Sequence, residues 1–473
     1  MINRETAIKT NFRVLKKLLR GITLAVTTLA LASCFATSPP DVESPRITIV
    51  GAGAAGLASA KTLQEQGFEV KILEARDRIG GRTWSQQLPS GATIDLGASW
   101  IHGSNPEFEA LVASLNIATI NTEFSNLRVY DTQGNETQLN SEVADDLISI
   151  FTLGIIKANI VDGAVSIASV IEELWENNSL ADYSLEFINF MSTAFFETEY
   201  AASVEDLSVR SFLIGLGGEG EGDYIDQNLA FPGGYNQVTD YLSANLDIEL
   251  NTLVEHIDYS QDPLVITTNR GTYETDLILV TVPIGVLKSG NIGFSPALPS
   301  WKQKSIDRLQ SGLLNKLYLE FPVSFWDENS DMLGISQAEK GGLALWVNME
   351  KVTGKPILMA FSSGRSAAEI EQLGDAEIIE LGMARLRQAY GDDIPEPVNY
   401  KISRWLSDPF AQGSYSYIGL ETGLGDRRRL SLPVEARVLF AGEATLDSPS
   451  GTVPGAYLSG IREADRIVEW YGE

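Results

Sequence analysis

The chain has 473 residues, 44% of them hydrophobic and 21% charged, an ordinary globular composition with enough length for more than one core. Its formal charge of −28 repels polyanions, which excludes nucleic acid as a partner and favours small cationic molecules near the surface. The acidity also serves solubility, and the sequence leaves both interpretations open. A single cysteine excludes an intramolecular disulfide.

The first 33 residues differ from the rest of the chain. They carry six basic residues and one acid, then an uncharged run over 21–32 that is short for the roughly 20 residues of a permanent span. This layout predicts a cleaved signal peptide, after which 29 Lys and Arg face 62 Asp and Glu, a formal charge of −33. Residues 31–34, Leu-Ala-Ser-Cys, resemble the bacterial lipobox.

The lipobox resemblance implies that Cys34 is lipidated and anchors the protein in the cell envelope, on its periplasmic or extracytoplasmic face. Residues 34–45 contain three prolines and no apolar periodicity, which predicts a tether. The alternative is a buried cysteine that happens to follow an apolar helix.

The folded part opens with a predicted βαβ unit. A β-branched run at 47–50 is followed by glycines at 51, 53 and 56, a helical stretch to about Gln66 and a second strand at 69–73. Such glycines allow a tight turn and a close approach of backbone to a pyrophosphate at the helix N-terminus. Glu74 follows the second strand, where a carboxylate accepts hydrogen bonds from ribose hydroxyls. The pattern predicts an adenosine dinucleotide without a 2′-phosphate.

Later segments complete two kinds of domain. Residues 277–282 and 438–440 read as further buried strands of the nucleotide-binding fold, whereas 142–196 has helical spacing and 317–321 and 343–348 alternate like strands of a separate sheet. The sequence therefore predicts an α/β protein: a Rossmann-like FAD-binding domain with an inserted α+β substrate domain. The predicted FAD-domain segments are 46–115, 229–300 and 402–473, and the predicted substrate-domain segments are 116–228 and 301–401.

Residues 74–82 run Glu-Ala-Arg-Asp-Arg-Ile-Gly-Gly-Arg, and the glycine pair with Arg82 suits further phosphate contacts. With the segment 46–103 around it, this motif resembles the amino-terminal FAD region of the flavin amine oxidases. That family includes monoamine oxidases, polyamine oxidases, histone-lysine demethylases and L-amino-acid oxidases. The motifs at 440–445 and 451–460 are similar to its carboxy-terminal FAD motifs, and the resemblance spans nearly the whole chain after the tether.

The resemblance implies a set of FAD-binding positions. Glu443 meets the ribityl or phosphate region, the backbone of Val254 holds the adenine, and the helix that opens at Thr452 and Val453 points toward the flavin pyrimidine. The full set is Gly51, Gly53, Ala55, Gly56, Glu74, Ala75, Arg76, Gly81, Arg82, Gly97, Ala98, Ser99, Trp100, Val254, Trp405, Gly442, Glu443, Thr452 and Val453.

It also implies four positions close to the reaction. Lys316, in Asn-Lys-Leu-Tyr-Leu-Glu-Phe, matches the lysine that holds a water against flavin N5. Tyr415 matches one side of an aromatic amine cage, and the second side falls on Thr452, where monoamine oxidases carry tyrosine. His102 lies in a motif closest to that of polyamine oxidases and is a candidate for substrate contact, with a structural histidine as the alternative.

Two departures from the family bear on the cofactor and the substrate. Ser414 stands where monoamine oxidases have the cysteine that bonds the flavin, so we expect non-covalent FAD. Pro454 replaces a histidine found in polyamine oxidase relatives. His256, the other histidine, is predicted to be structural, and the sequence shows no metal-binding cluster.

By resemblance, the expected function is an FAD-dependent polyamine oxidase. A neutral amine would pass hydride to flavin N5, and hydrolysis of the imine would give an aminoaldehyde and a shorter amine. Oxygen would then reoxidise the flavin and yield hydrogen peroxide. The alternatives are an L-amino-acid oxidase, which needs an arginine to clamp a carboxylate, a lipid desaturase, and a redox-silent FAD lipoprotein.

Overall fold

The computed structural model describes residues 44–102, 105–124, 126–137, 150, 152, 165–211, 228–337, 340, 342–423 and 425–472. The predicted signal peptide, Cys34 and most of the tether lie outside the described residues, as does much of the predicted helical stretch before residue 165. No helix in the described ranges is long and apolar enough to cross a membrane.

The described strands are β1 (Ile47–Val50), β2 (Val70–Leu73), β3 (Ser85–Gln87), β4 (Thr93–Asp95), β5 (Trp100–His102), β6 (Ile120–Asn121), β7 (Leu127–Tyr130), β8 (Glu136–Thr137), β9 (Asn228–Ala230), β10 (Asp247–Glu249), β11 (Val254–Asp258), β12 (Leu264–Thr268), β13 (Gly271–Thr275), β14 (Leu277–Val280), β15 (Gly293–Ser295), β16 (Gln310–Ser311), β17 (Leu314–Glu320), β18 (Met332–Ile335), β19 (Leu345–Asn348), β20 (Ile357–Ser363), β21 (Asn399–Ile402), β22 (Ser416–Tyr417) and β23 (Val438–Phe440).

The described α-helices are α1 (Ala54–Glu65), α2 (Pro106–Ser114), α3 (Ile167–Glu176), α4 (Leu185–Ser192), α5 (Thr198–Tyr200), α6 (Asn236–Ser243), α7 (Ile284–Ser289), α8 (Ser300–Arg308), α9 (Glu350–Thr353), α10 (Gly364–Ile370), α11 (Asp375–Tyr390), α12 (Asp426–Ser431) and α13 (Val453–Tyr471). A π-helical turn, Thr193–Glu197, joins α4 to α5, and Glu443–Thr445 is a 3₁₀ turn.

A parallel sheet forms the nucleotide-binding half, with the strand order β10-β2-β1-β14-β23 among the described residues. Its central strands are buried on both faces, as continuous apolar runs in a parallel sheet require. Helices α1 and α13 cover one face. They cross so closely that a Cβ on Gly460 would lie 2.2 Å from the Ala55 carbonyl oxygen. The predicted strands at 47–50 and 438–440 are confirmed, and the strand predicted at 277–282 is present but ends at Val280.

A second, mixed sheet has the described strand order β21-β17-β20-β19-β18-β7-β8. It is covered on both faces. Leu317 and Leu319 of β17 pack with Met383 of α11, while Tyr318, between them, belongs to the cluster that holds Ile188 of α4. The two predicted strands are present as β17 and β19. Their side chains alternate between two buried faces of the sheet, and not between the core and solvent.

The helical prediction holds where the structure describes it, because α3, α4, the π-helical turn and α5 follow one another between 167 and 200. The strands of the parallel sheet come from the three predicted FAD segments. Those of the mixed sheet come from the two predicted substrate segments, except that β21 ends at Ile402. The domain boundaries themselves stay predictions.

Candidate active site

The glycine loop between β1 and α1 has the geometry of an anion cradle. Gly51 has a φ of +106°, and a Cβ on Gly56 would lie 2.0 Å from the Gly51 carbonyl oxygen, so both positions require glycine. A Cβ on Gly53, directly before α1, would meet no atom within 4 Å. Gly53 therefore leaves open space at a helix N-terminus, where a pyrophosphate can approach the backbone.

Glu74 directly follows β2, beside this loop, and is 6% exposed. Its carboxylate accepts hydrogen bonds from the amides of Ala52 at 2.7 Å and Arg76 at 2.8 Å. Burial raises the pKa of Glu74, and these amides oppose the rise. The Thr252 amide donates to the Glu74 carbonyl at 2.8 Å, which brings the chain leading into Val254 alongside. The predicted ribose and adenine positions therefore lie together, with Ala75 between Glu74 and Arg76.

A buried ionic network follows at the predicted phosphate and ribityl end. Arg82 Nη1 donates to Glu443 Oε1 at 2.9 Å and to the Ser414 carbonyl at 2.6 Å. Ser416 Oγ donates to Glu443 Oε2 at 2.5 Å, and Arg427 Nη1, 4.0 Å from Oε2, donates to Ser416 Oγ at 2.6 Å. Burial pushes the pKa of Glu443 upward, but Arg82 and Arg427 outweigh it and hold the pKa below its usual range.

Two glycines line this network. A Cβ on Gly81 would lie 3.4 Å from the Gly53 Cα, so the glycine pair packs beside the glycine loop. Gly442 has a φ of +124°, and a Cβ there would approach only the Thr281 carbonyl oxygen, at 3.9 Å. Gly442 therefore leaves room for a close approach to the backbone next to Glu443.

Lys316 is 5% exposed and lies on β17, with its ammonium directed at the loop before β5. Nζ donates to the carbonyl oxygens of Gly97 at 2.6 Å and Asp95 at 3.1 Å, and to Ser99 Oγ. Burial lowers the pKa of Lys316 to about 7, and the Asp95 carboxylate opposes the fall. The lysine is therefore divided between its two protonation states near neutral pH.

Tryptophans enclose this lysine and its loop. The Trp100 ring centroid lies 5.2 Å from Lys316 Nζ, and Trp405 Nε1 donates to the Leu96 carbonyl oxygen at 3.0 Å. A Cβ on Gly97 would lie 1.8 Å from the Arg82 carbonyl oxygen, and the Ala98 amide donates to that oxygen at 3.2 Å. The predicted positions from Gly97 to Trp100 thus join the lysine to the phosphate network.

Tyr415 and Thr452 lie near the N-terminus of α13. A Cβ on Gly451 would lie 3.2 Å from the Tyr415 ring, whose hydroxyl donates to the carbonyl oxygens of Thr198 at 2.8 Å and Glu199 at 3.0 Å. The Thr452 hydroxyl caps α13 by accepting from the Gly455 amide at 3.0 Å, and it donates to the Pro449 carbonyl oxygen.

The start of α13 agrees with the sequence. Val453 is its first residue, and Pro454 follows in the first turn, where a missing amide hydrogen breaks no helical hydrogen bond. Thr452 supplies a helix cap and no aromatic face, so Tyr415 has no aromatic counterpart at that position.

His102 ends β5, and its Nδ1 lies 2.7 Å from Asn228 Oδ1 on the neighbouring strand β9. Its ring is 6.2 Å from the Trp100 ring, so His102 and Lys316 flank the same tryptophan. His256, in contrast, lies on β11 with Nε2 2.9 Å from Ser295 Oγ, away from this site. Among the described residues, no group of three or more His, Cys, Asp or Glu is arranged to hold a metal.

Sequence reasoning missed Arg427 and Asp95. The run of three arginines at 427–429 gives no sign that the first is buried beside Glu443 while the other two pair with Asp447 and Asp426. The sequence likewise shows a lone acid at 95, although its carbonyl oxygen accepts from both Lys316 and Tyr318.

Comparison with known proteins decides the family. The sequence profile of the family described as flavin containing amine oxidoreductase matches residues 54–468. The chain belongs to this family. FAD is accordingly its cofactor. Polyamine oxidase 2 of Arabidopsis thaliana is 32% identical over 93% of each chain, and polyamine oxidase 4 of Oryza sativa subsp. japonica is 32% identical over 89% of this chain and 88% of its own.

Histone demethylases of the same family also match, although they are longer. Lysine-specific histone demethylase 2 of Homo sapiens is 31% identical over 91% of this chain, which spans 54% of its length, and the chain spans 30% of Lysine-specific histone demethylase 1 homolog 3 of Arabidopsis thaliana. A solved structure of putrescine oxidase bound to putrescine superposes with a TM-score of 0.76 at 20% identity, covering 90% of this chain and 99% of that one. This likeness establishes the fold.

The residues of this flavin amine oxidoreductase fit FAD. The space beside Gly53 and Gly442 is open, and any Cβ at these two positions would fill it. The network of Arg82, Glu443 and Arg427 lies where the phosphates and ribityl chain are expected. Ser414 Oγ accepts from the Leu314 amide at 2.8 Å and donates to the Leu314 carbonyl at 2.9 Å. That hydroxyl tethers β17, and non-covalent attachment at this position stays a prediction.

Proposed function

We propose that this chain is a polyamine oxidase that cleaves a C–N bond of spermidine or spermine with oxygen as acceptor. The products would be an aminoaldehyde, a shorter amine and hydrogen peroxide. One observation carries the proposal: a buried lysine and a histidine both lie against Trp100, and Trp405 contacts the loop that holds the lysine. The end-to-end match to polyamine oxidases and the formal charge of −28 support the choice of substrate.

Each of these residues has a chemical task in the proposal. Bound FAD supplies the hydride acceptor. Lys316, with a pKa of about 7, can take up or release a proton near neutral pH. The Tyr415 face attracts a cationic amine and packs against a neutral one. His102, whose ring lies 6.2 Å from that of Trp100, is the candidate for contact with a substrate nitrogen.

The amino-acid oxidase alternative requires a guanidinium that is free to bind a carboxylate in a bidentate pair. Arg82 and Arg427, the arginines of the phosphate network, are both committed to Glu443 and its serine partner. These two arginines therefore do not supply that clamp.

We also propose that Cys34 carries the lipid that holds the protein in the cell envelope, from the lipobox resemblance of residues 31–34. Metabolic labelling of bacterial cells with an alkyne fatty acid tests this. The wild-type protein should be labelled and Cys34→Ala should not, whereas equal labelling of the two would contradict the proposal.

Substrate choice is tested by steady-state oxygen consumption of the FAD-loaded protein with spermine, spermidine, putrescine, benzylamine, a dimethyl-lysine histone peptide and L-amino acids. Mass spectrometry of the products identifies the C–N bond that is cut. The proposal predicts turnover of spermine or spermidine with one equivalent of peroxide per aldehyde. Turnover confined to amino acids or to the histone peptide would refute it.

A further inference from the structure

The partners of Lys316 Nζ differ in what they can do. Two of them, the carbonyl oxygens of Asp95 and Gly97, can only accept hydrogen bonds. The third, Ser99 Oγ, is 4% exposed and can accept or donate. Its own hydrogen has the Asp95 and Gly97 carbonyl oxygens at 3.4 and 3.5 Å as further acceptors.

The two protonation states of Lys316 need different hydrogen-bond partners. An ammonium has three N–H groups and no lone pair, so in this geometry it donates to both carbonyls and to the Ser99 oxygen. A neutral amine has two N–H groups and one lone pair. The two carbonyls take the N–H groups, and the lone pair then needs a donor, which the Ser99 hydroxyl supplies by turning its hydrogen toward Nζ.

The groups around Nζ leave the serine as the adaptable one. Asp95 is the charged group that acts on Lys316 among the described residues, and its carboxylate is held by Ser85 Oγ at 2.5 Å and the Tyr235 amide at 3.0 Å. Tyr318, buried on the same strand, donates its hydroxyl to the Asp95 carbonyl oxygen at 2.8 Å, and its hydroxyl is also a hydrogen-bond partner of Ser99. Trp100 covers Nζ with its ring and offers no acceptor there.

We propose that Ser99 is a positioning residue for Lys316: its hydroxyl reverses between acceptor and donor, holds Nζ in place in both protonation states, and sets the pH at which the lysine ionises. The inference rests on the proposed function in one respect, namely that Lys316 works beside the flavin. It gives Ser99 a second role, because the family resemblance implies only that Ser99 binds the cofactor.

The direction of the effect follows from hydrogen-bond strength. The bond from an ammonium to a hydroxyl is charge-assisted and about twice as strong as the neutral bond from a hydroxyl to an amine. Removing the hydroxyl therefore destabilises the ammonium more than the amine. The ionisation of Lys316 should move to lower pH by about one pH unit in Ser99→Ala.

The experiment titrates the oxidised, FAD-loaded protein from about pH 5 to about pH 9 and follows the visible difference spectrum of the flavin. The wild type is compared with Ser99→Ala, with Ser99→Thr, which keeps a hydroxyl, and with Lys316→Met, which identifies the transition that belongs to the lysine. Ser403→Ala is the matched control, because Ser403 is equally buried but its Oγ accepts from the Lys316 backbone amide at 2.8 Å and not from Nζ.

We expect the transition to be absent in Lys316→Met, lowered in Ser99→Ala, restored in Ser99→Thr and unmoved in Ser403→Ala. An unmoved lysine transition in Ser99→Ala, an equal shift in Ser403→Ala, or the absence of any wild-type transition that Lys316→Met removes would overturn the proposal. Burial raises the pKa of Asp95 to about 6, so a transition near that pH that survives in Lys316→Met belongs to Asp95. No amine is present in this titration. Failure of polyamines to reduce the flavin would therefore refute the proposed function without affecting the interpretation of the titration.

Discussion

Replacing Glu443 by glutamine tests whether the ionic network at the phosphate end stabilises the fold. Glu443 is 4% exposed, and its neighbours are donors: Arg82, Ser416, the Gly451 amide at 3.2 Å, and Arg427. Glutamine keeps the shape but turns one acceptor oxygen into an NH₂ group, which then faces other donors. It also deprives the buried Arg427 guanidinium of the carboxylate that acts on it most strongly.

Breaking a buried ion pair by removing one partner costs about 3–5 kcal/mol. Because the Arg82 side chain is 24% exposed and regains some water, we expect about 3 kcal/mol, the lower end of that range. The matched control is Glu380→Gln, which breaks the pair with Arg387 at 2.9 Å where the Glu380 side chain is 68% exposed. That change should cost less than about 1 kcal/mol.

The assay is urea unfolding of both variants without FAD, followed by tryptophan fluorescence and far-ultraviolet circular dichroism at neutral pH. The Glu443 pKa is depressed in the folded state, so its contribution is present above the unfolded pKa and is lost as the pH falls through the folded value. The difference between Glu443→Gln and wild type should therefore shrink in acid. Equal losses in the two variants at neutral pH would refute the reasoning.

Four further substitutions have expected outcomes. Gly53→Ala should weaken FAD binding at least about tenfold with little effect on the unfolding of the apo-protein. Gly56→Ala should instead lower the melting temperature of the apo-protein, because its Cβ would lie 2.0 Å from a carbonyl oxygen. Flavin fluorescence titration measures the first effect and thermal unfolding the second. Lys316 has a folded pKa below its unfolded value, so the unfolded chain binds more protons between about pH 7 and about pH 10 and wild-type stability rises with pH there; Lys316→Met should flatten that rise in urea titrations. Tyr415→Ala should raise the KM for spermine about tenfold by removing the ring face, as initial rates would show, and an unchanged KM would contradict the cage assignment.

Local signals in the sequence were sufficient for much of the fold. The glycine spacing at 51–56 and the β-branched run before it depend on turn sterics and strand burial, and both reappear as β1 and the N-terminus of α1. The strand predicted at 317–321 starts earlier, at Leu314, and so includes Lys316. The helix start at Thr452 and Val453 came from the family resemblance, and in the structure Thr452 caps that helix.

Contacts between distant segments were beyond the sequence. Arg427 is buried beside Glu443 because α12 packs where β22 and the 3₁₀ turn meet, and nothing in the run of arginines marks that placement. The three acceptors of Lys316 come from a loop more than two hundred residues earlier in the chain. Such pairings are set by topology, which periodicity along one segment does not encode.

Anaerobic mixing of the FAD-loaded protein with spermine, spermidine, a monoamine and L-amino acids, followed by flavin absorbance in a stopped-flow instrument, tests the central claim most directly. The account predicts that spermine or spermidine bleaches the flavin rapidly and that Lys316→Met slows this step or shifts its pH dependence. A flavin that stays oxidised with every amine would contradict the assignment of an amine oxidase site, and bleaching by L-amino acids alone would transfer the site to a different substrate class.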